Sequence, residues 1–392
     1  VPPLIFRKGL DLKHEVAHVL AESYHSELVE AIKANGYRHT AGRLTIHLAR
    51  EFGFCYGVDR AVDYAYQTRR RFPDRQVFLT GEIIHNPHVN DQLRAQGIRF
   101  LSDPGEAIDA LGPQDVVILP AFGVTLEMLV QLDSRGCTLV DTTCGSVLNV
   151  WKNVRRYSDE GFTSVIHGKY WHEETQATAS QAVDGRGGHY LVVLDRDEAR
   201  IACDYIRGHG DRTSFLERFS QAVSSGFDPD LHLRRVGCAN QTTMLSSESL
   251  EIGEMFRRAI IDRYGEAEVG VRYRAFDTIC SATQDRQDAV NALLAEQALD
   301  LMIVIGGYNS SNTCNLARIC AERLPTYHIA EPAGILSAHA IRHKPVGVKH
   351  EVVSEGWLPV EGPVRVGLTS GASTPDNLVD AVIRSLESFV NA

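Results

Sequence analysis

The sequence predicts an α/β protein built from three similar units, and two observations carry that expectation. Short apolar, strand-like runs alternate with longer stretches whose apolar residues recur at helical spacing. The alternation occurs three times in register, and each time a cysteine opens it. Cys55 stands ahead of Val58, Ala61, Val62, Ala65 and Tyr66. Cys144 stands ahead of Val147, Val150, Trp151 and Val154, and Cys280 ahead of Ala289, Val290 and Leu293. An apolar run and a polar loop follow each helix pattern: QVFLTGEIIHN, GFTSVIHGKYWHEET and LDLMIVIGGYNSSNT. From Cys55 to His85 is 30 residues, from Cys144 to His172 is 28, and from Cys280 to Asn309 is 29. Sheets of this kind are mostly parallel, and their ligands gather at C-terminal strand ends and helix N-termini. A pseudo-threefold arrangement would bring the three cysteine-bearing loops to one centre.

The elements follow in order. Residues 1–45 read as an N-terminal extension: LKHEVAHVLAESYHSELVEAIKANG has an apolar helical period, and RLTIHLA then reads as a strand. The first α/β domain is expected over 46–144, the second over 145–275 and the third over 276–375. The second carries an insertion, with the Gly-rich DGRGG near Gly185 and a polar, aromatic stretch around Arg207–Leu231. PDNLVDAVIRSLESFV closes the chain as a helix over 376–392, with Pro375 at its start.

Composition narrows the function classes. The 392 residues carry 40 Lys and Arg against 50 Asp and Glu, a formal net charge of -10, which disfavours a general binder of nucleic acid or anionic membranes. Hydrophobic residues make up 44%, an ordinary globular share, and no run of about 18 apolar residues offers a membrane span. No secretory pattern opens the chain, so a cytoplasmic location is expected, or the plastid stroma if a transit peptide has been removed. In a reducing compartment the eight cysteines are expected to bind metal, react or sit buried rather than form disulfides.

Cys55, Cys144 and Cys280 each precede a helix start, which favours the thiolate. Three thiolates at one point call for a cation among them, and soft sulfur ligands select zinc, copper(I) or iron–sulfur. Three protein ligands leave one corner of a cubane cluster open to a substrate oxygen. The other five, Cys137, Cys203, Cys238, Cys314 and Cys320, read as ordinary thiols, Cys314 the least clearly. The polar loops offer His85, His172, Glu174, Thr242, Asn309, Ser310, Ser311 and Asn312, with Ser373 from LTSGASTPD. Hydroxyls, an amide, imidazoles and backbone N–H groups can cradle phosphate oxygens without a basic patch. The serines and Asn312 would equally serve as helix caps, and the two roles can coexist. Glu174 is the acid suited to protonating a leaving hydroxyl, with Glu173 as its neighbour and rival. Neither a P-loop nor a clear GxGxxG is present, so no nucleotide, flavin or nicotinamide site is indicated.

Taken in order, GFCYGVDRAV, EIIHNPHV, DTTCGSV, HEET, NQTTM, ICSATQDRQ, NSSNT and TSGASTPD resemble the LytB/IspH family, in its cyanobacterial and plastid branch. These are the 4-hydroxy-3-methylbut-2-enyl diphosphate reductases of the non-mevalonate isoprenoid pathway. The resemblance implies a trefoil of three α/β domains around a [4Fe-4S] cluster with one iron not ligated by protein. It places Cys55, Cys144 and Cys280 as cluster ligands. His85, His172, Ser310, Ser311, Asn312 and Ser373 fall at or beside diphosphate-binding positions. Glu174 takes the place of the proton-delivering glutamate, and Thr242 that of the substrate-contacting threonine. It implies reductive dehydroxylation of (E)-4-hydroxy-3-methylbut-2-enyl diphosphate to isopentenyl and dimethylallyl diphosphate, with electrons from an external ferredoxin or flavodoxin. One departure stands out. Many bacterial members carry His in an SxHG stretch where this chain has PAFGV, so Phe122 cannot supply that hydrogen bond. A cluster-based sensor and a zinc-dependent phosphate hydrolase are the competing classes. The first needs no substrate cradle, and the second fits three thiolates without a His ligand poorly.

Overall fold

Helices begin where the chain supplies a residue that leaves the backbone extended, and at two of the three repeats that residue is a cysteine. In the computed structural model, which describes residues 4–185, 187–276 and 278–390, the three cysteine-led patterns are the helices Tyr56–Arg71, Gly145–Asp159 and Ser281–Glu296. Cys55 and Cys144 are N-cap residues in extended conformation, and neither side chain makes a capping hydrogen bond. Ser, Thr, Asp or Asn would cap better, so both positions forgo helix stability for a sulfur that does not cap. The ends of the first and last predicted segments (residues 1–3 and 391–392), Arg186 of DGRGG and Asp277 ahead of Cys280 lie outside the described residues.

The chain divides into two compact units. The middle unit is built on Leu119–Cys280 with Ala107–Pro113. The flanking unit is built on Ile5–Glu106, Gln114–Ile118 and the chain from Ser281 onward. The fold class is α/β, as expected, with parallel pairing dominating the sheets of each unit.

The middle unit holds a four-stranded sheet in the order Tyr273–Ala275, Val236–Asn240, Thr163–His167, Tyr190–Val193, parallel throughout. Thr163–His167 and Val236–Asn240 are buried at every position, as inner strands covered on both faces must be. Helices Arg196–Arg207 and Ser246–Tyr264 bury Ala199, Cys203 and Ile206 against Ile252, Phe256 and Ile260. The insertion contributes to this core through Phe215, Phe219 and Phe227. Its backbone also meets the edge strand: Val192 N–H donates to the Ala222 carbonyl at 2.7 Å and Ser224 N–H to that of Tyr190 at 3.2 Å. The insertion therefore covers a sheet edge that would otherwise be open to pairing.

The flanking unit holds strands in the order Thr326–Ile329, Leu301–Ile305, Val364–Ser370, Leu44–Leu48, Arg38–Ala41, the first four parallel and the last antiparallel. Ile98–Phe100, Val77–Leu79 and Val116–Leu119 pair in parallel, and Ala340–His343 forms a hairpin with Val352–Glu355. The long helical period near the N-terminus is two helices, Lys13–Tyr24 and Glu27–Ala34. Ser26 splits them: its hydroxyl accepts Val29 N–H at 3.1 Å and donates to Asp380 at 2.7 Å. Asp380 lies on the closing helix Asp376–Val390, and Val29 and Ile32 share a core with Val379, Ile383 and Leu386. The N-terminal segment is thus packed into this unit rather than appended to it.

Candidate active site and cofactor ligands

In the middle unit the loops at the C-terminal strand ends carry His172, Glu174, Thr242 and Cys280, and backbone hydrogen bonds run through all four. His172 is the N-cap of helix Glu173–Ala182, and its Nδ1 accepts Glu174 N–H at 3.1 Å. One Glu174 carboxylate oxygen accepts Thr242 N–H at 2.6 Å, and Cys280 N–H donates to the Thr242 carbonyl at 3.3 Å. His172, Glu174 and Thr242 are all buried. Because Nδ1 is an acceptor, the neutral His172 ring carries its proton on Nε2 and offers a donor there. It follows that Glu173, 3.9 Å from Nδ1 and mostly exposed, makes no ion pair with it in that tautomer. The two adjacent glutamates thereby differ: Glu174 is buried and held by Thr242 N–H, whereas the Glu173 side chain is about half exposed.

Gln241, which sequence reasoning passed over, joins the loops after two strands. Its side-chain oxygen accepts Lys169 N–H at 3.1 Å and the Thr175 hydroxyl at 3.2 Å, and its own N–H donates to the His167 carbonyl at 2.9 Å. NQTTM offered its signal, an amide directly before Thr242. Phe122 is buried, and its ring stands edge-on to that of His172, with centroids 6.2 Å apart and planes at 73°. At this position the chain places an aromatic wall against the imidazole. Cys144 donates its N–H to the Ala121 carbonyl at 2.8 Å, in the same loop as Phe122.

In the flanking unit a second group forms. Cys55 N–H donates to the Ala372 carbonyl at 3.1 Å, and Ala372 N–H donates to Asn312 Oδ1 at 3.0 Å. That bond fixes the Asn312 amide, whose Nδ2 is buried without a hydrogen-bond partner. Ser310 caps helix Ser311–Ala321, its oxygen accepting Thr313 N–H at 3.3 Å, so the capping role expected of this motif is realised and the hydroxyl proton is not spent on it. Ser311 is buried at the first helical position. The Ser373 hydroxyl donates to the His85 carbonyl at 3.2 Å. His85 Nδ1 sits 2.8 Å from Glu82, a partner the motif reading did not single out. With Nδ1–H on that carboxylate, Nε2 is an acceptor in the neutral ring and a second donor in the imidazolium. Asn309 lies in the turn just before this helix.

Two further residues hold this loop cluster. Gly307 lets the chain pass the His85 carbonyl: a Cβ there would come within 2.4 Å of that oxygen. His328, buried in the strand beside Leu301–Ile305, donates through Nε2 to the Gly306 carbonyl at 2.9 Å, and Gly306 has φ +144°. Burial lowers the His328 pKa from 6.5 to about 4, and Lys344 and His343 push the same way. A histidine whose folded value lies below its unfolded one contributes stability above pH 6.5 that is lost as pH falls through the folded value near 4. We expect chemical denaturation to show that loss between those limits, on the order of 3 kcal/mol. His328→Gln should flatten part of the slope; an unchanged slope would refute the assignment.

Arg286, on the ATQDRQ helix, is 3% exposed and donates to the Gly53 carbonyl at 2.7 Å, bracing the turn ahead of Cys55. No sequence signal distinguished it from a surface arginine.

None of the eight cysteines forms a disulfide. Cys55, Cys144 and Cys280 are half-buried, whereas Cys137, Cys203, Cys238 and Cys320 are buried. Burial raises the thiol pKa of Cys238 and Cys320 to about 12, and that of Cys203 further. Cys314, half-buried, donates to the Tyr308 carbonyl at 3.4 Å. The donor set of Cys55, Cys144 and Cys280, half-buried cysteines at loop-to-helix junctions, fits a thiophilic centre such as an iron–sulfur cluster. Among the described residues no helix is long and apolar enough to cross a membrane.

Residues 46–387 match the family described as LytB protein. A relative from Synechococcus sp. (strain CC9311), named 4-hydroxy-3-methylbut-2-enyl diphosphate reductase, is 51% identical over 97% of this chain and 94% of its own length. One of the same name from Gloeobacter violaceus is 50% identical, covering 96% and 91%. A solved (E)-4-hydroxy-3-methyl-but-2-enyl diphosphate reductase, described as the terminal enzyme of the non-mevalonate pathway, aligns with TM-score 0.51 at 26% identity over 88% of this chain and 99% of that one. A Plasmodium falciparum reductase shares the fold, with TM-score 0.61 at 19% identity over 86% of each chain.

Proposed function

The chain belongs to the LytB protein family, and from that premise we propose how its residues divide the work of reducing (E)-4-hydroxy-3-methylbut-2-enyl diphosphate. The reaction removes the C4 hydroxyl as water with two electrons and two protons. It gives isopentenyl and dimethylallyl diphosphate, the last step of the non-mevalonate route. The observation that carries this division is the hydrogen-bonded series His172, Glu174, Thr242, Cys280, which ties a buried acid to a cluster-ligand candidate.

We assign the diphosphate to the polar groups of these loops, with the Ser373 hydroxyl turning its proton from the His85 carbonyl to the substrate. Asn312 Nδ2, a buried donor without a partner, is the best placed, with its Oδ1 already fixed by Ala372. The Ser310 hydroxyl, Ser311 at the helix N-terminus, Ser373, His85 and the Nε2–H of His172 complete the cradle. Glu174 delivers a proton to the C4 oxygen as it leaves, and the Thr242 hydroxyl orients that oxygen. Cys55, Cys144 and Cys280 hold a [4Fe-4S] cluster with one iron not ligated by protein; when bound, it supplies electrons and a Lewis-acidic iron. A ferredoxin or flavodoxin brings the electrons, since the chain has no flavin or nicotinamide motif. The domain partition 46–144, 145–275 and 276–375 in a trefoil, and a cytoplasmic or plastid-stromal location, belong to the same proposal.

The test is anaerobic purification, iron and sulfide analysis, and assay with the diphosphate substrate and a reduced low-potential donor. Substrate consumption by iron-loaded protein is the expected result, and its absence would overturn the reading. Asn312→Ala should raise KM at least ~10-fold, the scale of a lost charge-assisted hydrogen bond, with the iron content unchanged. An unchanged KM would remove Asn312 from the cradle.

A further inference from the structure

The middle unit has a second polar cleft, at the opposite end of its sheet from the catalytic loops. Phe162, His189, Arg235 and Arg272 each stand immediately before one of the four parallel strands, and all four line this cleft of about 350 Å³. His172, Glu174, Thr242 and Cys280 follow the C-terminal ends of those strands. In a parallel sheet the two positions are separated by the length of the strands, so a ligand in one does not occupy the other.

The cleft's chemistry runs against that of the chain. In a protein of net charge -10, Arg234, Arg235 and Arg272 line it, and no Asp or Glu is among its described lining residues. The guanidinium of Arg235 is held by its Nε on the Val271 carbonyl at 3.1 Å and by stacking on Phe162, and that of Arg234 by its Nε on the Asp230 carbonyl at 2.7 Å. Four carboxylates stand nearby. Glu268 pairs with Arg272 at 2.8 Å, and Glu160 pairs with Arg156 at 2.8 Å and approaches Arg274 at 3.8 Å. Asp228, which acts on His232, and Asp230 lie 3.4 and 3.9 Å from Arg212. With Arg156, Arg274 and Arg212 counted, six arginines face four carboxylates, so an excess of positive charge remains. Ser158 supplies an independent observation: it is 8% exposed, lines the cleft, and its hydroxyl has no hydrogen-bond partner. An unpaired buried hydroxyl costs stability unless something meets it. His189 and His232 stack in the wall with ring centroids 3.5 Å apart. His232 Nδ1 accepts Asp228 N–H at 2.8 Å, so its neutral ring carries the proton on Nε2 as a further donor. Arginine forks, a hydroxyl and imidazole N–H groups together make an oxyanion site. The volume matches a small metabolite rather than a lone ion.

We propose that this cleft binds the phosphoryl group of a small phosphorylated metabolite, separately from the catalytic diphosphate site. The insertion helps to build it, because Leu231 at its end lines the cleft from the short helix Pro229–His232. The Gly-rich stretch has a role here as well: Gly188 lines the cleft, and a Cβ on it would come within 2.2 Å of the Ser158 oxygen. The nearest atom to that Cβ would be the Ala182 carbonyl oxygen at 2.0 Å, so only glycine lets the chain pass there.

Calorimetric titration of the purified iron-loaded protein tests the proposal, with inorganic phosphate and ribose 5-phosphate as probes. Saturable binding of either that the arginine changes weaken supports the phosphoryl site, and tighter binding of the ester shows that the remaining volume takes an organic moiety. Arg272→Gln and Arg235→Gln should each weaken binding at least ~10-fold, and Ser158→Ala severalfold. Arg234→Gln, at an exposed position that spares the fold, provides the safeguard should Arg235→Gln not fold. The double variant Ser310→Ala/Asn312→Ala should bind the probes with affinity unchanged within about twofold. Failure of both probes to bind would overturn the proposal, as would affinity indifferent to the arginine changes. Binding lost only in the double variant would assign the anion to the catalytic cradle instead.

Discussion

Glu174→Gln is expected to lower kcat by ~10²- to 10⁴-fold while leaving KM, iron content and the visible spectrum near wild type. The substitution is chosen for what it retains. Gln keeps the side-chain length and an Oε1 that can still accept Thr242 N–H, now 2.6 Å from the carboxylate. The loop carrying Thr242, and through its carbonyl the Cys280 backbone, therefore keeps its support. What Gln lacks is a transferable proton. A loss confined to kcat identifies a group that acts in the transition state, whereas joint loss of iron and activity would mark Glu174 as a structural brace. Glu173→Gln is the matched control: its side chain is mostly exposed, and turnover should change by no more than about twofold. Wild-type turnover in Glu174→Gln, or equal losses in both variants, would remove the assigned role.

How far the sequence discloses this site depends on whether a contact is local. The cysteine-led helices were legible because an extended residue followed by an apolar 3.6-residue period is a local pattern, and Tyr56–Arg71 and Gly145–Asp159 begin directly after their cysteines. The split at Ser26 was missed because apolar spacing continues across it, although a serine three residues ahead of the amide it caps is itself a local signal. Other features were beyond reach. Leu44–Leu48 finds its partner in Val364–Ser370 at the far end of the chain, so a segment that reads as an extension becomes an inner strand. The Glu174–Thr242 link uses a backbone N–H, which no residue type announces. His328 and Arg286 act on carbonyls of Gly306 and Gly53, and the same side chains on a surface would look identical in sequence. Phe122 was visible as a departure, but its edge-on packing against His172 depends on how two loops fold together.

Replacing Cys55, Cys144 or Cys280 with Ser should abolish iron binding and turnover together, whereas Cys314→Ser should retain both. The contrast follows from the cost of making each sulfur a thiolate. Cys238 and Cys320, with pKa values raised by burial to about 12, remain protonated at neutral pH and cannot ligate metal without a large penalty. Exposure alone does not separate the four half-buried cysteines, because Cys314 is half-buried like the three candidates. Its thiol, however, donates to the Tyr308 carbonyl, a role that a serine hydroxyl can keep. Cys55 and Cys144 cap their helices with no hydrogen bond from sulfur, so Ser at either position should improve the cap by up to ~1 kcal/mol while weakening metal binding. The two effects have opposite signs, and that opposition makes the measurement decisive. An apo variant that melts at or above the temperature of apo wild type yet holds no iron shows a sulfur kept for ligation at the expense of the helix. Iron retained in any one of the three variants, or lost on replacing Cys314, would redraw the ligand set.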